Sequence, residues 1–175
     1  FRSESGKAKG KIVVFNAPFT EYRKTVVFRS RGAVEAAKVG AVASLIRSVG
    51  PFSMQTPHTG VMGYDDEVQK IPHAAITAED ADMMQRMQER GERISVRLRM
   101  AAQTHPDAKS RNVVAELKGN EFPEEIVLVS GHIDSWDVGQ GAMDDGGGCL
   151  AAWEAVRLLK QLGLQPRRTI RVVLW

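Results

Sequence analysis

The 175-residue sequence has little cysteine, few aromatic residues and no long apolar run. Cys149 is the only cysteine, which excludes a disulfide within the chain. No stretch approaches the roughly 18 to 20 consecutive apolar residues that a membrane-spanning helix needs, and no Asn-x-Ser/Thr glycosylation sequon occurs. The net charge is +3, and basic and acidic residues are interspersed without a long basic block. We therefore expect neither a membrane span nor a nucleic-acid partner.

The composition is that of a folded globular domain, because 43% of the residues are hydrophobic and 26% are charged. The chain begins with Phe1 and a polar, charged stretch rather than a signal peptide, and it ends with Trp175 inside an apolar strand-like run. We expect it to be an internal piece of a longer protein. The missing signal peptide then indicates nothing about the compartment.

In the first half of the chain, apolar runs separated by turn residues predict alternating strands and helices. Thr77 is a good N-cap for a helix predicted over 76–91, and Asp80 forms a capping-box-like pair with it. Three methionines share one face of that helix, which predicts a stripe packed in the core: Met83, Met84 and Met87. The other predicted elements are strands over 11–15, 25–28, 41–46 and 94–100, a helix over 32–39 and a loop over 50–72.

A polar, proline-containing stretch at 104–110 predicts a domain boundary. The pattern after it is strand, strand, helix, strand, which predicts the start of an α/β sheet. The run 125–130 is apolar enough for a strand buried in such a sheet, and we expect residues 172–175 to form an unpaired apolar edge. The remaining predictions are strands over 112–117 and 169–174, and a helix over 145–162 with Cys149 in the core and an apolar stripe of Leu150, Trp153, Val156 and Leu159.

His132 is the first residue in this half that indicates chemistry. It follows the apolar strand 125–130 after a single glycine, which places it at the carboxyl end of the sheet, where open α/β sheets build their sites. Asp134 is two residues further on, and in an extended segment such side chains share a face. Its carboxylate can accept the ring N–H of His132 and leave the other nitrogen for a metal.

Asp144 and Asp145 form a second indicative group, because they precede three glycines and a helix. Two adjacent carboxylates are costly to bury unless a cation or a helix N-terminus compensates their charge. Since adjacent side chains diverge, we expect one to bind metal and the other to bind backbone N–H groups. Helix capping by Asp145 alone would leave Asp144 unexplained.

Other kinds of site are disfavoured. Gly139 and Gly141 match the start of a dinucleotide-binding fingerprint, but Asp144 occupies its third glycine position and would repel a pyrophosphate. No Gly-x-Ser-x-Gly elbow occurs. The three other histidines lie beside prolines without clustered partners in the sequence, and we interpret them as incidental: His58, His73 and His105.

The segment 130–148 resembles the co-catalytic two-zinc exopeptidases, a family that includes bacterial leucyl aminopeptidases, glutamate carboxypeptidase and the transferrin receptor. The resemblance extends to 31–40, 71–80 and 162–175, and so covers nearly the whole chain. It implies an α/β protein with two parts. A protease-associated domain of mixed β structure with helices would cover 10–102, and the truncated N-terminal part of the zinc peptidase α/β domain would cover 110–175.

The resemblance also implies roles for the residues of the motif. His132 resembles a ligand of one zinc, Asp134 the catalytic aspartate that orients this histidine, and Asp144 the carboxylate that bridges both zinc ions. The cofactor would be two zinc ions, and the substrate would be a small peptide, cleaved as by a carboxypeptidase or dipeptidase. The family further implies a secreted or lysosomal protein that forms a homodimer.

In this family the catalytic glutamate and the remaining zinc ligands come after the Leu-Trp pair with which this chain ends. We therefore expect the chain alone to be inactive and to bind zinc weakly, because a catalytic zinc typically has three protein ligands. One alternative is a non-catalytic scaffold of the transferrin-receptor type. Intact His132 and Asp144 favour the enzyme. A further alternative, compatible with either, is a truncated product without a stable fold.

Overall fold

We describe residues 6–136 and 138–175 of a computed structural model. The chain divides into two compact units, one ending at Gln103 and the other beginning at Thr104. The division falls next to the polar stretch 104–110. Each unit contains a three-stranded sheet and helices, so the fold is mixed α/β as expected.

The sheet of the first unit consists of three short parallel strands, β1 (Ile12–Phe15), β2 (Ala43–Arg47) and β3 (His73–Ile76). They lie side by side in the order β1-β2-β3. Both pairings in this sheet are parallel. Strands β1 and β2 were predicted from the sequence and β3 was not, because two of the four residues of β3 are alanine, which is depleted in strands.

Two consecutive helices, α1 (Tyr22–Thr25) and α2 (Val27–Lys38), connect β1 to β2. The strand predicted over 25–28 is therefore wrong, although valine and phenylalanine favour strands. Burial at helical spacing explains the helix, since Thr25, Arg29, Ala33 and Ala36 are all buried. Ala33 and Ala36 form the core of the unit with Ala41 and Ile71.

Helix α3 (Ala78–Glu89) begins where the sequence predicts it. The Thr77 side chain accepts a hydrogen bond from the Asp80 N–H at 3.0 Å, so the predicted N-cap is confirmed. The predicted methionine core is wrong in part, because Met83 is 45% exposed and the buried residues of the helix are Ala78 and Ala81. The buried face of α3 is thus formed by its small residues rather than by the methionines.

The strand predicted over 94–100 is not part of either sheet. Its apolar alternation is real, and Ile94 and Val96 line a groove of about 320 Å³ together with Ile12 and Val14 of β1. No ladder of backbone hydrogen bonds joins this segment to a described strand, and a strand is defined by such a ladder.

The second unit contains β4 (Val113–Leu117), β5 (Phe122–Gly131), helix α4 (Gly147–Gln161) and β6 (Arg168–Leu174). The strand order is β4-β6-β5, with β6 antiparallel to β4 and parallel to β5. The expected unpaired edge at 172–175 is therefore wrong, because β6 is the central strand and its Val172 and Val173 are buried. Within the described part of the chain, β5 and β4 are the edges.

Helix α4 packs against β5 and β6 with a narrow face. The predicted burial of Cys149 is confirmed, and Ala152 is buried beside it. The predicted apolar stripe is only partly packed, since Leu150 is 70% exposed and Trp153 52% exposed. Among the residues described, no helix is both long enough and apolar enough to cross a membrane.

Candidate metal centre

His132 lies where β5 ends, at the carboxyl end of the two parallel strands of the second unit. The backbone pairing extends past β5, because the Ile133 N–H donates to the Trp175 carbonyl at 2.8 Å and the Trp175 N–H donates to the Gly131 carbonyl at 3.0 Å. The backbone before and after His132 is thus fixed to the next strand. This is the sheet edge at which the sequence analysis expected the site.

The Asp134 carboxylate contacts the His132 ring as expected. Its Oδ1 lies 2.8 Å from His132 Nδ1, and the Asp134 backbone carbonyl lies 3.1 Å from the same nitrogen. Both groups are hydrogen-bond acceptors, so Nδ1 is the nitrogen that bears a proton in the neutral ring. Nε2 then has a free lone pair, which is the form of histidine that binds metals.

Asp144 lies on the other side of the ring. Its Oδ1 is 2.9 Å from His132 Nε2, the nitrogen that Asp134 leaves available. Both side chains are accessible, since that of His132 is 43% exposed and that of Asp144 is 83% exposed. Desolvation lowers the pKa of His132, but the hydrogen bonds that the protonated ring donates to Asp134 and then to Asp144 outweigh it and raise the pKa above its ordinary value.

Asp145 points away from this pair and binds backbone instead. One oxygen accepts from the His132 N–H at 3.2 Å, and the other accepts from the Gly148 N–H at 3.1 Å in the first turn of α4. The expectation that one aspartate of the pair binds backbone N–H groups is confirmed, and that residue is Asp145. Helix α4 itself begins after an irregular turn, Ala142–Gly146, which follows a left-handed Gly141.

His132, Asp134 and Asp144 border a cleft of about 430 Å³ in the second unit. Ser135 and Trp136 complete its described lining, and Asp137 lies outside the described residues. The sequence analysis gave Trp136 no role. The only feature of the sequence that pointed to Trp136 was its position within the motif, two residues after Asp134.

The described residues do not form a complete metal site. Within 6–136 and 138–175, no group of three or more histidine, cysteine, aspartate or glutamate side chains has a geometry suited to a metal ion. The sequence analysis also missed one contact, in which the Cys149 thiol donates to the His132 carbonyl at 3.1 Å. Burial was predictable for this cysteine, but its partner was not.

Two of the histidines interpreted as incidental have defined partners in the first unit. His58 Nδ1 lies 2.9 Å from the Arg29 guanidinium, and His73 Nδ1 lies 2.8 Å from the Ser44 hydroxyl. Each of these partners lies 29 positions away in the sequence, so it was not visible there. These contacts are to arginine and serine rather than to carboxylates, so they do not extend the candidate metal centre.

Comparison with known proteins agrees with the motif. Residues 112–175 match Peptidase family M28. Carboxypeptidase Q of Rattus norvegicus is 64% identical over 171 residues, which are 98% of this chain and 36% of the relative. The chain thus spans about a third of the length of the curated relatives it matches.

Solved structures show the same similarity. The crystal structure of a Peptidase M28 precursor from Shewanella amazonensis matches with a TM-score of 0.93 and 40% identity, over 98% of this chain and 40% of that one. A zinc aminopeptidase from Bacillus subtilis matches with a TM-score of 0.50 and 22% identity, over 97% of this chain and 37% of that one, which shows a shared fold only. The chain is therefore similar to carboxypeptidase Q over nearly all of its own length and to Peptidase family M28 over residues 112–175, which confirms the resemblance to peptidases that its motifs predicted.

Proposed function

We propose that the protein to which this chain corresponds is a metal-dependent exopeptidase of the carboxypeptidase or dipeptidase type, which hydrolyses small peptides with a water activated by two zinc ions. The observation that supports this best is the arrangement around His132. One ring nitrogen faces Asp134 at 2.8 Å, and the other faces Asp144 at 2.9 Å. A single imidazole is thus oriented by one carboxylate and presented to a second.

The residues fit zinc by the chemistry of their donor atoms. Zinc binds neutral imidazole nitrogens and carboxylate oxygens, and a metal-bound histidine usually donates its other N–H to a carboxylate or carbonyl. His132 Nε2 and an Asp144 oxygen would be the donors, and Asp134 would orient the ring.

When bound, two zinc ions would supply Lewis acidity, which would polarise the scissile carbonyl and lower the pKa of a water. The residues of this chain would prepare the site. Asp134 keeps the proton of His132 on Nδ1, and Asp144 supplies negative charge that holds a cation at the mouth of the cleft. The Trp136 side chain, which lines that cleft, offers an apolar surface to a bound peptide.

His132 and Asp144 supply one histidine and one carboxylate, whereas a catalytic zinc typically has three protein ligands. We propose that the catalytic glutamate and the other ligands belong to the part of the relatives that this chain does not match. This chain alone is then inactive and binds zinc weakly. Tight binding of two zinc ions in isothermal titration of this chain would contradict the proposal.

Three further parts of the proposal rest on resemblance. The first unit would be a protease-associated domain over 10–102, and the second the start of the peptidase domain over 110–175. The protein would be secreted or lysosomal, and it would be a homodimer.

The test is peptide hydrolysis by the full-length protein. Dipeptides of varied sequence are incubated with the purified protein, with and without a chelator, and zinc is then restored. We expect cleavage that the chelator abolishes and zinc restores, and we expect His132→Ala and Asp144→Asn to remove it. His105→Ala is the matched control, because His105 is an exposed histidine of the same unit outside the cleft. A protein that binds no zinc and cleaves no peptide would favour the scaffold alternative.

A further inference from the structure

Asp145 is adjacent in sequence to the proposed ligand Asp144, but its carboxylate does not face the cleft. Its two oxygens bind the backbone N–H groups of His132 at 3.2 Å and of Gly148 at 3.1 Å. The Asp145 carboxylate therefore joins His132, which follows β5, to the first turn of α4. The N-terminal end of a helix favours a negative charge at this place.

Two glycines show how closely the structure is packed around this carboxylate. A Cβ at Gly148 would overlap both oxygens of Asp145. A Cβ at Gly131 would lie 2.9 Å from Asp145 Oδ2 and 2.7 Å from the Cys149 nitrogen. Neither glycine has a positive φ, so the backbone angle does not exclude a side chain there. At Gly148 the Asp145 carboxylate excludes it, and at Gly131 the backbone of Gly148 and Cys149 excludes it together with that carboxylate.

The backbone N–H and carbonyl of His132 are both hydrogen-bonded by residues at the start of α4 or just before it. Asp145 binds its N–H, and the Cys149 thiol donates to its carbonyl at 3.1 Å. The ring is held separately by Asp134. Since Asp145 also follows Asp144 directly in the chain, a shift of its carboxylate would move the backbone of both proposed ligands.

We propose that Asp145 is a positioning residue, which sets the metal affinity of the site by fixing the backbone of His132 relative to Asp144. This inference rests on the proposed function. An asparagine at this position has one acceptor oxygen and an NH₂ group, which would oppose one of the two N–H donors. The connection between His132 and α4 would therefore be broken on one side while the size of the side chain is kept.

The test is zinc binding by the metal-free, full-length protein, measured by isothermal titration and by the visible spectrum of the cobalt-substituted form. For Asp145→Asn we expect affinity to fall by about 10- to 100-fold, the usual effect of removing a group that supports a metal ligand. Gly148→Ala should act alike, because its methyl group displaces the same carboxylate without changing its charge. Glu154→Gln is the matched control, because it removes one negative charge from the exposed side of α4.

His132→Ala separates the possible failures. If His132→Ala abolishes zinc binding while Asp145→Asn binds zinc like the wild type with an unchanged cobalt spectrum, the positioning role is overturned and the proposed function stands. If His132→Ala binds zinc like the wild type, the proposed function fails and the inference fails with it. If Asp145→Asn and Gly148→Ala lose their far-ultraviolet circular dichroism, Asp145 is a determinant of folding, and the positioning role is again overturned.

Discussion

His73 is a buried histidine whose environment predicts a loss of stability in acid. It is 3% exposed, its Nδ1 is paired with the Ser44 hydroxyl at 2.8 Å, and its Nε2 is buried without a hydrogen-bond partner. Desolvation lowers the pKa of His73, and this outweighs the interactions with the Arg29 and Ser44 backbone, which raise it. Protonation would therefore place a charge in the core of the first unit with one N–H unsatisfied.

The size of the effect follows from linkage. A histidine with a lowered pKa binds fewer protons in the folded chain than in the unfolded chain, so the free energy of unfolding is greatest above the unfolded pKa and falls as the pH drops through it. With an unfolded pKa of about 6.5, and no protonation of the folded state, the loss between pH 7.5 and pH 5 reaches about 2 kcal/mol. The loss levels off below the folded pKa of His73.

Amide hydrogen exchange of β2 and β3, corrected for the intrinsic pH dependence, measures this locally. We expect protection to fall by up to about 30-fold from pH 7.5 to pH 5, the equivalent of about 2 kcal/mol. His73→Asn should remove most of this fall, because asparagine can keep the bond to Ser44 without titrating in this range. His58→Asn is the control, since His58 is the other histidine in the unit. An unchanged pH slope in His73→Asn would refute the reasoning.

Three other predictions concern the Glu79 carboxylate, the Arg29 side chain and the exposed segment 97–112. Glu79 accepts from the Met54 N–H at 2.9 Å, in a turn where Met54 and Gln55 have positive φ. A hydrogen bond from Ser53 lowers the pKa of Glu79 to about 2, so protection of the turn against hydrogen exchange should be lost as the pH falls from about 4.5 to about 2. Glu79→Gln should lack this step. Arg29 is buried and donates to the Thr59 and Val61 carbonyls, so Arg29→Met should lower the free energy of unfolding in urea by about 1–3 kcal/mol, whereas Arg31→Met on the exposed side of α2 should change it little. Residues 97–112 are exposed apart from one position and lack regular structure, so trypsin should cut this chain there first, and a first cut within α2 or β6 would contradict this.

The site was predictable from sequence because its parts are close together in the chain. His132 and Asp134 are two residues apart, and the strand before them fixes which end of the sheet they occupy. Divergence of adjacent side chains predicted that Asp144 and Asp145 would have different partners, and the resemblance implied which of the two would face a metal. Local geometry thus determined most of the contacts around His132.

The errors arose where contacts between distant segments decide the structure. Residues 25–28 have strand-forming side chains. The next residue, Arg29, nevertheless donates to the carbonyls of residues more than 29 positions away, and the segment forms a helix. Conversely, 94–100 alternates like a strand but has no partner strand in the described sheets. Periodicity shows which side of a segment is apolar, and the neighbouring strand decides whether a ladder forms.

The glycines show most clearly how sequence and structure complement each other. The sequence indicated only that the backbone comes close to a neighbouring group at the three consecutive glycines Gly146, Gly147 and Gly148. The structure shows that Gly148 meets the Asp145 carboxylate, whereas a Cβ at Gly147 would make only an ordinary contact, 3.8 Å from the Ala142 carbonyl. Gly147→Ala should therefore be tolerated with its metal affinity kept, while Gly148→Ala should not be. Equal loss of zinc binding in the two variants would mean that the whole glycine segment must be flexible, and that packing against one carboxylate is not the reason for its composition.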